Sequence, residues 1–165
     1  MAKAIVFEYT RPASIVIDKA LLRATLEDVR DQLLSHDING GPRQLSMNTV
    51  CQLADESNNK CGTAACIGGW ASLFLLGFEG HTEVERNTVN ELFAKLTDDD
   101  LGGKYLYNLF YEYGAVENFD EPNVAATAIQ RYLDGKKPWP ESRFDSVTMP
   151  NVLPYTKRAK APKKR

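Results

Sequence analysis

A run of seventeen residues, Cys61 to Gly77, reads CGTAACIGGWASLFLLG and carries no charge from Ala64 onward. The spacing predicts a helix over 64–76, with Thr63 as N-cap and Gly77 as the left-handed residue at which such helices stop. A helix that is apolar nearly all round has to be buried on more than one face, so the rest of the chain is expected to wrap it. At about 13 residues it falls well short of the ~20 needed to span a membrane.

Two glycines stand inside this stretch, Gly68 and Gly69, followed by Ala71 and Ser72. An interior glycine costs a helix about 1 kcal/mol relative to alanine, so its presence calls for a packing reason. Gly68 and Ser72, one turn apart, form a strip along which another backbone can approach, while Cys66, Trp70 and Leu73 form the neighbouring stripe. The alternative is that the glycines leave room for a ligand. Without a strand before them they match no phosphate-cradling pattern.

The segment Cys61-Gly62-Thr63-Ala64-Ala65-Cys66-Ile67-Gly68-Gly69-Trp70-Ala71 resembles the signature of a family of small, mostly helical bacteriophage and bacterial proteins that share a C-G-T-x-x-C-[IL]-x-G core. Between Ala125 and Trp139, the sequence AIQRYLDGKKPW is similar to that family's closing helix and tryptophan. The resemblance extends over about half the chain. It implies a helical fold and a phage or bacterial setting, and it brings no catalytic residue with it.

Along the chain, Ala4 to Tyr9 and Ser14 to Ile17 have strand character, with Arg11-Pro12 as a turn. They either pair as a hairpin or lie as an extended arm on a helical body, and the arm is the expectation adopted. Asp18 reads as an N-cap for a helix from Lys19 to about Ser35, with Leu22, Leu26, Val29 and Leu33 inward and Glu27, Asp28, Arg30 and Asp31 outward. Asn39-Gly40-Gly41 turns the chain, and Ser46 is read as the cap of a short helix through Met47, Val50, Cys51 and Ala54. Thr88 with Glu91 has the capping-box spacing for a helix through Leu92, Phe93 and Leu96. A further helix is expected over about Asp98 to Tyr113. Asp120 and Pro122 open the last one, which runs to Asp134 and stops at Gly135. Residues 136–156 hold four of the chain's eight prolines and are expected to run extended, pinned by Trp139, Phe144 and Tyr155.

The expected fold class is therefore all-α: one compact domain of about five helices around the central helix 64–76. It has an N-terminal arm over 1–17, a helical core over 18–135, an irregular proline-rich extension over 136–156 and a basic tail over 157–165.

That tail, KRAKAPKKR, holds six of the 20 basic residues, which leaves 14 bases against 22 acids in the rest, a net charge of −8. An acidic body argues against nucleic-acid binding by the fold itself, and the tail alone offers weak phosphate contact. Three cysteines, an odd number, with no apparent secretory leader, suggest free thiols and a cytoplasmic protein.

Cys61 and Cys66 flank the start of the central helix, where amide N–H groups and the helix dipole can activate a thiolate. The candidates for a thiol-dependent enzyme are thus Cys61 and Cys66 with His36 or His81 as base, although neither histidine has a partner that spacing can place. The likeness to the thiol-protease C-G-[SA]-C-[WY] element is superficial, since the cysteines stand further apart and Ile67 occupies the aromatic position. Metal binding by Cys51, Cys61, Cys66 and a histidine is a further alternative. Its spacing is poor, with nine residues between Cys51 and Cys61 and no second close pair. No metal site or cofactor is therefore assigned.

The run YLYNLFYEY, Tyr105 to Tyr113, has more tyrosines than one buried helix face can hold. Tyrosines left near the surface suit a protein interface. The preferred functional class is accordingly a non-enzymatic cytoplasmic protein-binding module, a phage-encoded accessory or host-interaction factor. Its candidate binding residues are Tyr107 and Tyr111, together with Asn58, Asn59 and Lys60 of the polar loop before Cys61.

Overall fold

The computed structural model describes residues 3–10, 13–38, 43–48, 50–51, 64–79, 82–98, 100–141 and 145–156. Near the N-terminus, hydrophobic alternation at period two produces an antiparallel hairpin of β1 (Ala4–Thr10) and β2 (Ala13–Asp18). Ile5 faces Ile17 and Phe7 faces Ile15, and this side of the ribbon packs into the core. Val6 and Val16, paired on the opposite side, are exposed. Tyr9 stacks on Phe7 and meets Phe78 edge-on at 5.7 Å, tying the ribbon to the helical layer that a two-stranded sheet needs for support.

Helix α1 (Lys19–Leu34) starts where Asp18 caps it, its Oδ1 accepting the Leu21 N–H at 2.7 Å. The expected inward residues Leu22, Leu26, Val29 and Leu33 are all buried. α1 packs chiefly against α5 (Pro122–Leu133), whose proline sits in the first turn and whose stop is Gly135 at φ 73°. Arg30 reaches across from α1 to Gln130, Nη1 to Oε1 at 2.6 Å.

At the centre lies α2 (Ile67–Leu76), buried at every position except the half-buried Phe74 and closed by Gly77 at φ 68°. It is shorter than the sequence predicts. Ala64–Ala65 form strand β4, which pairs in parallel with β3 (Gln44–Leu45), so two alanines with the best helix propensity are taken by a tertiary partner. Cys66, expected inside the helix, is its N-cap; the expected cap, Thr63, lies outside the described residues.

The all-α expectation is thus overturned. The chain is a mixed α/β fold, with a hairpin and a parallel strand pair beside five α-helices among the described residues. The arm forms a ribbon because both of its segments bury alternate residues against the helices, and that burial supplies the support an isolated hairpin lacks. Nor does a helix start at Ser46. Met47 and Asn48 form a turn instead, in which the Ser46 amide donates to Ala65 O at 3.0 Å and that of Met47 to Asp120 Oδ1 at 3.0 Å.

Helix α3 (Glu83–Asp98) begins earlier than Thr88 because Thr82 and Glu85 form the reciprocal capping box. Thr88 instead turns its hydroxyl back to Val84 O inside the helix. The long helix expected to Tyr113 is broken by Gly102-Gly103. What forms is a 3-10 turn, Asp100–Gly102, then Gly103 at φ 70°, then α4 (Lys104–Tyr111).

Residues 136–141 and 145–156 run over the helices with little regular structure, as their prolines suggest. Trp139 is fully buried and donates its indole N–H to Leu109 O at 2.9 Å. Val147 bridges Val116, Leu153 N–H bonds Thr127 Oγ1, and Thr156 N–H bonds Leu34 O. Tyr155 also takes part, its hydroxyl on Asn123 and its ring on His36, whereas Phe144 and residues 157–165 lie outside the described residues.

Candidate protein-binding face and the thiol motif

Aromatic rings and a loop backbone close over the glycines of α2. Phe93 of α3 and Phe110 of α4, stacked at 5.4 Å, cover Gly68 so closely that a Cβ there would collide with Phe93 and stand 3.0 Å from Phe110. At Gly69 the backbone carbonyl of Val50 takes the place a Cβ would need. Close packing is therefore the reason for both glycines. The backbone approach falls on Gly69, while on the expected strip of Gly68 and Ser72 the Ser72 hydroxyl bonds Gly68 O at 2.8 Å.

Cys66 is buried, and its Sγ accepts the Gly69 N–H at 3.4 Å. Burial pushes its thiol pKa up, and the amides of Gly69 and Gly68 only partly oppose the shift. Cys51, also buried and free, is raised by burial to about 11, with Arg86 pulling the other way. These thiols are held neutral, and dipole activation at the helix start is outweighed by the loss of water. His36, in the left-handed region at φ 62°, stacks on Tyr155 with ring centres 4.1 Å apart. Cys61, His81, Asn58, Asn59 and Lys60 lie outside the described residues. Among the described residues no three His, Cys, Asp or Glu side chains gather as metal ligands.

α4 buries Leu106, Leu109 and Phe110 on one side and presents Tyr107 and Tyr111 on the other. These two rings lie one helical turn apart with centres at 4.7 Å, and are 54% and 44% exposed. Tyr111 also meets Phe93 edge-on at 5.5 Å, so the pair stands on the aromatic layer that covers Gly68. Two phenol rings held against one another lose little side-chain freedom when something docks on them. Tyr105 is half-buried, and Tyr113 turns inward to Phe119 and Trp139 with its hydroxyl on Asn48 Oδ1.

A pocket at the opposite end of α4 was missed in the sequence. It measures about 230 Å³ and is lined by Lys19 and Arg23 of α1, Gly103 and Lys104 at the start of α4, and Tyr132 and Leu133 at the end of α5. A local signal existed: α1 and α4 both open on a lysine with no acid in the first turn, contrary to the dipole preference that α3 follows with Glu83 and Glu85.

No family model matches the chain, nor does any curated protein or solved structure. None of the helices formed by the described residues is long and apolar enough to cross a membrane.

Proposed function

We propose that the protein is a small cytoplasmic protein-binding module, a phage-encoded accessory or host-interaction factor, which meets its partner through the tyrosine face of α4. The observation that carries this reading is the Tyr107–Tyr111 pair, two large rings in contact on the exposed face of a helix whose other face is core. Tyrosine is among the residue types that dominate binding energy at protein interfaces. The phage setting is supported by the CGTAACIGGWA resemblance alone. Burial and the raised pKa of Cys66 weigh against Cys66 as the nucleophile of the alternative, a thiol-dependent enzyme using Cys61 or Cys66.

The test is affinity capture from the native cytoplasm with the wild type and with Tyr107→Ser/Tyr111→Ser, after the variant has been shown to fold. A partner retained by the wild type and lost from the folded variant supports the reading. Equal retention by both proteins removes α4 as the contact surface.

A further inference from the structure

We propose that the pocket between the start of α1, the start of α4 and the end of α5 binds a small phosphorylated ligand, a phosphomonoester dianion held by Lys19, Arg23 and Lys104. These three cations come from two helices and line one concavity whose wall includes no carboxylate among the described residues. On the same helix Asp18 is engaged by the Leu21 N–H, and Glu27 pairs with Arg23 Nε at 3.5 Å, so Arg23 brings a partly compensated charge and Lys19 and Lys104 carry most of the attraction. Two carbonyls of the lining residues already accept hydrogen bonds. Tyr132 donates its hydroxyl to Gly102 O at 2.7 Å, and Arg23 Nη1 donates to Leu133 O at 2.8 Å.

The backbone adds donors. Gly103 offers no side-chain cap to α4, so the first amides of that helix precede any intrahelical bond and border the pocket. Gly103 at φ 70° also has open space where a Cβ would be, which leaves the approach to those amides clear. Lys104, with its ammonium 5.4 Å from the Tyr105 ring centre, and half-buried Tyr105 flank the site. A volume of about 230 Å³ lies below the roughly 300–1,000 Å³ of pockets for drug-sized ligands, which suits a small phosphorylated metabolite.

The experiment is an amide NMR titration of the full chain at low ionic strength with inorganic phosphate and, separately, glycerol phosphate. Saturable shifts are expected at Gly103, Lys104 and Tyr105, with glycerol phosphate binding more tightly than inorganic phosphate. Lys19→Glu/Lys104→Glu should weaken binding at least about tenfold, Lys104→Gln less, and Lys95→Glu on α3 not at all. If the double reversal disturbs the fold, the comparison of Lys104→Gln with Lys95→Glu decides. Three outcomes overturn the proposal: no saturation up to about 10 mM ligand, the range in which a millimolar site fills; equal weakening by Lys95→Glu; or tighter binding of inorganic phosphate than of the ester.

Discussion

The carbonyl oxygen of Val50 rests on the α carbon side of Gly69, inside the space any β carbon would require. In a solvent-exposed helix, Gly→Ala stabilises by about 1 kcal/mol. Here the sign reverses. Gly69→Ala has to displace a backbone strand of the loop, and is expected to cost about 1–3 kcal/mol or more. Gly68→Leu should cost at least as much, since it forces apart the Phe93–Phe110 stack. Thermal unfolding of the two variants measures both. A Gly69→Ala protein as stable as the wild type would show that the loop moves aside freely.

The C-terminal segment is expected to be part of the folded unit up to Thr156. Trp139→Ala removes a fully buried indole and its bond to Leu109 O, a loss of about 3–5 kcal/mol. Deleting Lys157 to Arg165 should leave the unfolding transition unchanged, whereas truncation at Gly135 should abolish it. Denaturant unfolding of the three proteins distinguishes these outcomes. An unaltered midpoint in Trp139→Ala would mean that the segment merely drapes over the helices.

Much of this architecture is legible in the chain wherever a local rule and the tertiary packing agree. The Asp18 cap, the Leu22–Leu26–Val29–Leu33 stripe, the Pro122 start and the Gly77 and Gly135 stops all stand as the residues predict. Departures occur where a distant partner overrides local preference. Ala64-Ala65 pair with Gln44-Leu45, and Met47 N–H goes to Asp120, 73 residues away. The capping box at Thr82–Glu85 was locally visible, but Thr88–Glu91 has the same spacing and competes with it. Of the candidate site, Tyr107 and Tyr111 follow from counting tyrosines on one helix. The Lys19–Arg23–Lys104 pocket joins residues more than 80 positions apart and has only its two lysine-headed helices as a local sign.

Stability is expected to fall at alkaline pH in a defined window. Cys51 and Cys66 both have folded-state pKa values raised by burial, Cys51 to about 11 from 9.0. Below pH 9 the thiols are protonated in both states and the stabilisation is fully present. As pH rises above 9 the unfolded chain releases protons that the folded chain retains, so stability declines until about pH 11. Tyr132, raised by burial to about 12 from 10.0, extends the decline upward. Denaturant midpoints measured across this window should drop, and Cys51→Ala should flatten the lower part. A midpoint that rises between pH 9 and 11 would contradict the burial of the thiols.

The central claim is that Cys66, Gly68 and Gly69 build the core around α2, and native thiol labelling tests it most directly. Labelling from about pH 5 to 9, with peptide mapping to resolve the individual cysteines, should leave Cys66 protected until the protein unfolds. Cys66→Ala, which removes both a buried thiol and the cap on Gly69 N–H, should lose on the order of 1 kcal/mol. Rapid labelling of Cys66 near pH 6, with little change in stability on substitution, would contradict this account and identify an activated thiolate.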